Sequence, residues 1–271
     1  MKIQVAILQF DVKTGNVEHN MQKAEQMMVK AAKDGAQLLV LPELWNCGFA
    51  YDRINELAQD VSGEAVSLMR AVASDYKVMV VGGSIVENRH NKLYNTSFVL
   101  DQKGKILCKY RKAHIFSHLD HKEGDYFSPG DEWGLCDYTQ NGDAISLGLS
   151  ICYDLRFPEF YRNMALRGAR IFTVPAAWPG SRKKNLELFA RARAAENRAF
   201  VLVANCSDDK QNYYTGGSMV IDPDGNIVTS ADKGERILSA EIDTDLLKSP
   251  YMFDTLQDRQ AFLDEIDNNL I

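Results

Sequence analysis

The stretch AISLGLSICYDLRFPE, residues 144–159, combines a run of strand-forming residues with an abrupt turn. Residues 144–151 have the apolar character of a buried strand, and Cys152 follows them directly. Pro158 can open a helix, because the N–H that proline lacks has no partner in the first helical turn. A thiol at this junction is predicted to face a cleft, as a nucleophile would. For a cysteine judged alone, however, a buried structural thiol is the commoner outcome.

Two other predicted strands also end in ionisable residues, one in an acid and one in a cluster of bases. Residues 38–43, LLVLPE, end in Glu43, and residues 109–114, KYRKAH, contain Lys112. Each segment puts a charged group just beyond a predicted strand, which is where open α/β folds form their ligand sites. The sequence therefore predicts that Glu43, Lys112 and Cys152 belong to one site.

Short apolar runs alternate with amphipathic segments along the whole chain. No internal linker rich in Pro, Gly or Ser interrupts them, so we predict one domain, residues 1–271, in which helices cover mostly antiparallel or mixed sheets. Ser62 is predicted to cap the second helix. The polar, acidic tail 250–271 is expected to pack on a partner subunit. The predicted strands are 3–10, 36–41, 77–87, 96–101, 105–110, 144–151, 171–174, 200–205, 217–222, 226–230 and 236–241, and the predicted helices are 16–33, 62–76, 158–167 and 182–196.

Composition excludes several classes of partner. The net charge of −6 and the pI near 5.4 argue against a nucleic-acid surface or an anionic membrane, since both select basic patches. No run approaches the roughly 18 to 20 apolar residues that span a bilayer, and the N-terminal segment begins as a strand without a cleavage signal. We therefore expect a cytoplasmic protein.

The cysteines do not suggest a disulfide framework or a thiolate zinc site, because they are odd in number and widely spaced and form no CxxC pair. They are Cys47, Cys108, Cys136, Cys152 and Cys206.

A nucleophilic cysteine needs a base or a cation beside it, because an ordinary thiol is only a few per cent ionised at neutral pH. His114, His118 and His121 have the i, i+4, i+7 spacing of one helix face and could in principle hold a metal. The Gly and Pro residues nearby favour instead an irregular loop with solvated imidazoles. A metal is thus the weaker interpretation of these histidines.

Glu43 is the stronger candidate for the base. It lies between Leu41 and the apolar pair Leu44 and Trp45, and partial desolvation would raise its pKa and make it a better proton acceptor. A buried Lys112 ammonium would favour the thiolate and stabilise an oxyanion. Each residue alone has a plainer explanation: a Glu after Pro can start a turn, and Lys112 can be part of a solvated basic surface.

Three motifs together resemble the signatures of the carbon–nitrogen hydrolase (nitrilase) superfamily. They are LPE ending at Glu43, YRKAHIF around Lys112 and ICYDLRFPE around Cys152, in this order and with this separation. The resemblance implies a Glu-Lys-Cys triad assisted by a second glutamate, which falls on Glu123 ahead of a Pro-Gly turn. Glu123 could otherwise be an exposed loop acid. Segments 82–84, 94–96, 128–130, 191–197 and 216–218 also resemble family positions.

The resemblance further implies the fold and the chemistry. The implied fold is of the α/β (α+β) class, a four-layer αββα sandwich of two mixed six-stranded sheets that pairs through the nucleophile-side helices into a homodimer. No cofactor and no metal are implied. The implied reaction forms a thioester on Cys152, with Glu43 as the base and with Lys112 and the backbone N–H of Tyr153 holding the oxyanion.

Within the superfamily, the sequence is most similar to the ω-amidase branch, whose members act on small amides such as 2-oxoglutaramate. Arg156 could bind a substrate carboxylate, or it could form a structural ion pair with Glu159 or Asp154. Trp178 could wall the pocket or simply pack at a strand end. The basic residues 182–184 depart from this branch, so the alternatives of an N-carbamoyl amine, a deaminated-glutathione-like amide, a nitrile, or a silent binding or scaffold protein stay open.

Overall fold

The computed structural model describes residues 1–118, 122–207, 213–248 and Leu256. Within these ranges the chain forms thirteen strands and six helices. The strands are β1 (Lys2–Gln9), β2 (Leu38–Val40), β3 (Met79–Val81), β4 (Ile85–Arg89), β5 (Lys92–Leu100), β6 (Ile106–Arg111), β7 (Leu135–Gln140), β8 (Asp143–Leu149), β9 (Ala169–Ala176), β10 (Phe200–Asn205), β11 (Met219–Ile221), β12 (Ile227–Ser230) and β13 (Arg236–Asp243). The helices are α1 (Val17–Lys33), α2 (Ile54–Leu57), α3 (Glu64–Tyr76), α4 (Glu123–Tyr126), α5 (Pro158–Leu166) and α6 (Lys183–Asn197).

The strands form two mixed sheets. The first has seven strands in the order β13-β1-β2-β3-β5-β4, with β6 also paired to β5, and the second has six in the order β12-β11-β10-β9-β8-β7. The three central strands β1, β2 and β3 are parallel in the first sheet, as are β8, β9 and β10 in the second. The carboxyl ends of these strands carry the loops that hold Glu43 and Cys152.

The sheets pack face to face between two pairs of helices. Along β1, Ile3, Val5 and Ile7 join the cluster between the sheets. Ala6 and Leu8 face α1 and α3 in a separate cluster. Helices α5 and α6 cover the opposite face of the second sheet, where Met164 and Leu186 are fully buried. The four-layer αββα prediction is confirmed.

The prediction of six strands in each sheet is wrong for the first sheet. The segment predicted as one strand, 77–87, forms both β3 and β4, because residues 82–84 leave the sheet between them. Gly83 has φ +56°, and a Cβ at this position would collide with the carbonyl of Pro42. The Gly-Gly-Ser segment therefore lies on a loop against the segment that carries Glu43, not on a strand.

The cap of α3 is also not the predicted one. Gly63 occupies the N-cap position. The Ser62 hydroxyl instead donates to Asp60 Oδ1 at 2.6 Å, and the side chain of Gln59 accepts the Ala65 N–H at 3.0 Å. The orphan amide of the first turn is thus satisfied from outside the helix.

The predicted tail 250–271 lies outside the described residues except for Leu256, which is partly buried against the cluster between the sheets. Its packing on a partner subunit stays a prediction. In the part of the chain that the structure describes, no helix is both long enough and apolar enough to cross a bilayer.

Candidate active site

Glu43 lies on a buried loop directly after β2. Leu44, the next residue, has φ +43°, and its N–H donates to Ser84 Oγ at 2.9 Å. The indole N–H of Trp45 donates to the carbonyl of Gly82 at 2.9 Å. The loop of residues 82–84 therefore braces the Glu43 loop on a neighbouring part of the sheet and fixes the direction of its carboxylate.

Lys112 joins Glu43 and Glu123 in one buried charge cluster. Its Nζ lies 2.9 Å from Glu43 Oε1 and 3.0 and 2.8 Å from the two carboxylate oxygens of Glu123. All three residues are at most 2% exposed. The structure thus brings together three side chains that the sequence predicted for one site, and Glu123 is not an exposed loop acid.

Both oxygens of the Glu43 carboxylate also accept hydrogen bonds from other groups. Asn95 on β5 donates to Oε1 at 2.9 Å, and the Ala177 N–H donates to Oε2 at 2.9 Å. Sequence analysis noted Asn95 only as a position that resembles the family. Asn95 stands beside Thr96 and Ser97 on β5, and its fully buried amide needs a polar partner.

Cys152 occupies a strained turn beside this cluster. Its φ is +46°, and it begins a short 3-10 turn, Cys152–Arg156, that follows β8. A non-glycine residue with this backbone conformation is uncommon and concentrates at functional sites. The charges of Glu43, Lys112 and Glu123 all act on the pKa of the Cys152 thiol, so the thiol lies beside the cluster.

The environment keeps the thiol protonated at rest. Burial raises the pKa of the Cys152 thiol well above its ordinary value, and the Glu43 charge raises it further, while the Lys112 ammonium partly opposes both. Attack by sulfur would therefore require transfer of its proton to a neighbouring base, and Glu43 is the carboxylate whose charge acts most strongly on the thiol.

The cluster can accept such a proton. Burial by itself lowers the pKa of Lys112, but the two carboxylates outweigh burial and raise that pKa well above its ordinary value. Burial and the Glu43 charge raise the pKa of Glu123, against the opposing effect of Lys112. Lys112 thus stays charged between two carboxyl groups, and an arriving proton neutralises the surplus negative charge.

Arg156 and Trp178 lie together at one side of the turn. The guanidinium carbon of Arg156 is 4.8 Å from the Trp178 ring and 5.2 Å from the Phe189 ring. In the described residues Arg156 forms no ion pair, so the predicted alternative pairing with Glu159 or Asp154 is not found there. Trp178 is 3% exposed, and its indole N–H donates to the Arg182 carbonyl at 3.0 Å.

The basic residues 182–184 separate in the structure. Lys183 pairs with Asp232 at 2.8 Å, whereas the side chains of Arg182 and Lys184 are exposed. Arg182 contributes to the site region through its backbone carbonyl on Trp178, not through its charge.

The predicted histidine cluster does not form a metal site among the described residues, which contain no group of three or more His, Cys, Asp or Glu suited to a metal ion. His114 contacts Asp154 Oδ1 through Nδ1 at 2.7 Å, and His118 lies 3.5 Å from the Tyr153 hydroxyl. His121 lies outside the described residues.

Two further side chains near the site were missed by sequence analysis. Burial raises the pKa of Tyr214 well above its ordinary value, with contributions from Cys206, Tyr213, Glu43 and Cys152, so this hydroxyl lies within electrostatic range of the site. Cys206 is buried, and its thiol donates to the Glu43 carbonyl at 3.7 Å. No local pattern distinguishes either residue, since both depend on contacts between distant segments.

Comparisons with known proteins agree with this geometry. The family model for carbon–nitrogen hydrolases matches residues 4–249. The chain is 38% identical over 244 residues to the 2-oxoglutaramate amidase of Bacillus subtilis (strain 168), covering 90% of this chain and 92% of that protein. It is 33% identical to the omega-amidase NIT2-A of Xenopus laevis, covering 91% of this chain and 90% of that protein. The crystal structure of Saccharomyces cerevisiae Nit3, a member of branch 10 of the nitrilase superfamily, superposes with a TM-score of 0.83 at 30% identity, covering 93% and 96% of the two chains. With its fold, its buried Glu-Lys-Glu cluster and these relatives, the chain belongs to the carbon–nitrogen hydrolase family of the nitrilase superfamily.

Proposed function

We propose that the protein hydrolyses the amide C–N bond of a small ω-amide that carries a carboxylate, of the 2-oxoglutaramate or 2-oxosuccinamate type, to an acid and ammonia. The observation that carries the proposal is the buried Lys112 ammonium, 2.9 Å from Glu43 and 2.8 Å from Glu123, in a cluster whose charges act on the pKa of the Cys152 thiol. A thiol, a base and a cation side by side are the parts that covalent acyl transfer requires.

In the first half of the reaction, Glu43 removes the thiol proton while the sulfur of Cys152 attacks the amide carbon. The tetrahedral oxyanion is held by the Lys112 ammonium and by the backbone N–H of Tyr153. Glu43 then returns the proton to the nitrogen, the C–N bond breaks, and ammonia leaves a thioester on Cys152. Each oxyanion donor of this kind contributes roughly 10²- to 10³-fold to the rate.

In the second half, water loses a proton to Glu43 and attacks the thioester carbon. The C–S bond breaks, the acid is released, and the sulfur regains its proton from Glu43. Glu123 contributes by holding Lys112 through both carboxylate oxygens, at 3.0 and 2.8 Å, so that the ammonium keeps its place through both halves. These steps use groups of the protein itself and no cofactor.

Recognition of the substrate carboxylate is assigned to Arg156. Its guanidinium rests on the rings of Trp178, Phe189 and Tyr153 and has no carboxylate partner among the described residues, which leaves its hydrogen-bond donors for an anion. The Trp178 ring supports the guanidinium by packing against it. The names of the relatives, 2-oxoglutaramate amidase and omega-amidase, favour the same class of substrate.

We further propose a homodimer formed through the helices on the nucleophile side. Leu166 at the end of α5 is 47% exposed, Leu188 on α6 is 62% exposed, and Trp133, whose ring stacks on Phe160 of α5, is 39% exposed. Exposed large apolar side chains on the outer helices are typical of a surface that another protein covers. A cytoplasmic location stays a prediction of the sequence.

The proposal is tested by measuring ammonia release from 2-oxoglutaramate. The wild-type protein should release ammonia in the presence of EDTA, and Cys152→Ala should release none while unfolding at the same temperature. Arg156→Lys should raise KM for the carboxylate-bearing amide but not for a neutral amide of equal length. An active Cys152→Ala protein would contradict the mechanism. Release only from an N-carbamoyl amine, a deaminated-glutathione-like amide or a nitrile would contradict the substrate.

A further inference from the structure

One buried carboxylate, which lies outside the charge cluster, contacts both the Lys112 segment and the Cys152 turn. Asp154 stands two residues after Cys152 and is fully buried. It accepts four hydrogen bonds: from the Ile151 N–H at 2.8 Å, the Tyr110 hydroxyl at 2.7 Å, the His114 N–H at 3.0 Å and His114 Nδ1 at 2.7 Å. We refer to Asp154 with Tyr110, His114 and Ile151 as the Asp154 bridge.

The donors of this bridge come from both sheets. Ile151 immediately precedes the nucleophile on the second sheet, so its bond supports the turn in which Cys152 has φ +46°. Tyr110 is on β6 of the first sheet, two residues before Lys112, and His114 stands two residues after Lys112. A single carboxylate therefore holds the Lys112 segment from both sides and the Cys152 turn at the same time.

The backbone hydrogen bonds of residues 112 and 113 stay on the side of the first sheet. The Tyr110 hydroxyl also accepts the Ala113 N–H at 3.0 Å, which closes a small loop around Lys112. The Lys112 backbone N–H donates to the Asn95 carbonyl at 2.8 Å, within the first sheet. Its backbone carbonyl accepts the N–H of Gly130 at 2.9 Å. The spacing between the Lys112 segment and the Cys152 turn is thus left to the Asp154 bridge, to the His114 ring, which stacks on Phe157 at 3.7 Å, and to the packing of the two sheets.

We propose that Asp154 is a positioning residue that sets the distance between the Lys112 ammonium and the acyl group on Cys152. The inference rests on the proposed acyl transfer at Cys152 and adds a residue to it. An oxyanion held partly by Lys112 and partly by the Tyr153 N–H draws one donor from each sheet, so it requires the two sheets to keep a fixed separation. A misplacement of about 1 Å in such a site can cost roughly 10²-fold in rate.

The test compares two reactions of Cys152 that differ in their need for an oxyanion donor. Acylation by 4-nitrophenyl acetate, followed as the burst of 4-nitrophenolate, passes through a tetrahedral oxyanion. Alkylation by iodoacetamide, followed on the Cys152 peptide by mass spectrometry, does not. Neither probe depends on which amide the protein hydrolyses, so the positioning role and the proposed substrate can fail separately.

Asp154→Asn should slow acylation by about 100-fold and alkylation by less than about 3-fold. Tyr110→Phe removes one bond of the bridge and should slow acylation by about 10-fold, again with little change in alkylation. Since both variants break the same link, the double variant should acylate no more slowly than Asp154→Asn.

Tyr161→Phe is the matched control. The Tyr161 hydroxyl is as deeply buried as that of Tyr110 and bonds Ser150 Oγ at 2.6 Å, two residues before Cys152, but it does not touch the Lys112 segment. It should acylate at the wild-type rate. Equal losses of acylation in Tyr161→Phe and Tyr110→Phe would reduce the bridge to a structural role. Equal slowing of acylation and alkylation in Asp154→Asn, or unchanged acylation in that variant, would also overturn the proposal.

Discussion

The two sides of the active site are built in different ways. The first sheet contributes a charge cluster whose members, Glu43, Lys112 and Glu123, come from separate segments and hold one another at 2.8 to 3.0 Å with almost no exposure to water. The second sheet contributes one strained thiol, supported by a bond between residues only three apart, from Ile151 to Asp154. The cluster depends on one cation held between two carboxylates, whereas the Cys152 thiol depends on one backbone turn.

This difference predicts that substitutions in the two regions have different effects on folding and on catalysis. A change in the charge cluster leaves an uncompensated buried charge, so it should affect both folding and chemistry. A change at the thiol removes the reacting atom and little else, so it should affect chemistry alone.

Lys112→Met is expected to have the largest effect. It leaves the carboxylates of Glu43 and Glu123 facing each other without a cation, which should cost about 3 to 5 kcal/mol of unfolding free energy in urea and abolish ammonia release. Lys109→Met is the control, because Lys109 pairs with Glu87 at 3.5 Å with a side chain 28% exposed and should cost less than about 1 kcal/mol. Equal stability of the two variants would show that the cluster does not need its cation.

Glu43→Gln is expected to separate chemistry from thiol reactivity. Loss of the base should slow ammonia release by roughly 10²- to 10⁴-fold. Because the Glu43 charge raises the pKa of the Cys152 thiol and Lys112 lowers it, removal of that charge should increase the thiolate fraction at pH 7. Alkylation of Cys152 by iodoacetamide should therefore become at least about 10-fold faster.

The control for Glu43→Gln is Glu87→Gln, the same change at a buried carboxylate outside the cluster. Its alkylation rate at Cys152 should equal that of the wild type. Slower alkylation in Glu43→Gln would mean that Glu43 does not hold the thiol in its protonated form.

The smallest expected effect is on the stability of the protein in acid, and it depends on Glu87 of the first sheet. Burial tends to raise the pKa of Glu87, but hydrogen bonds from Arg111 and Thr96 outweigh it and lower that pKa. A lowered folded-state pKa gives stability that is complete above the unfolded-state pKa, near 4.3, and is lost as the pH falls through the folded-state value. Glu87→Gln should thus cost about 1 to 2 kcal/mol at pH 7, and the difference should shrink below about pH 4.

Urea unfolding at several pH values measures this effect. Glu241→Gln, at an exposed carboxylate paired with Lys2, should match the wild type at every pH. A Glu87→Gln difference that stays constant down to pH 3 would contradict the lowered pKa.

The same comparison shows what the sequence could reveal. The Cys152 turn is a local feature, so an apolar run that ends in Cys and is followed by Pro was enough to predict it. Glu43, Lys112 and Glu123 were placed in one site only by their likeness to family motifs, because a Glu after Pro or a Lys among basic residues has several local explanations. The structure confirms the likeness and shows the pairs that join segments 69 and 11 residues apart.

Features that depend on distant contacts were missed. Asp154 was considered only as a possible partner for Arg156, since nothing local indicates that its acceptors serve Tyr110 and His114. The first sheet has one strand more than predicted because Gly83 must approach Pro42 closely. Gly63 instead of Ser62 is the N-cap of α3 because the Ser62 hydroxyl donates to Asp60. For Asp154 and Gly83 a tertiary contact decided the outcome, whereas for Ser62 a bond to a residue two positions away decided it.

The most direct test of the central claim is the mass of the Cys152 peptide from enzyme quenched in acid during turnover of 2-oxoglutaramate. The mechanism predicts a peptide heavier by the acyl group of the substrate, bound to sulfur, removable by hydroxylamine and absent from Cys152→Ala. An unmodified Cys152 peptide from enzyme that is releasing ammonia, or an acyl group on another residue, would contradict it.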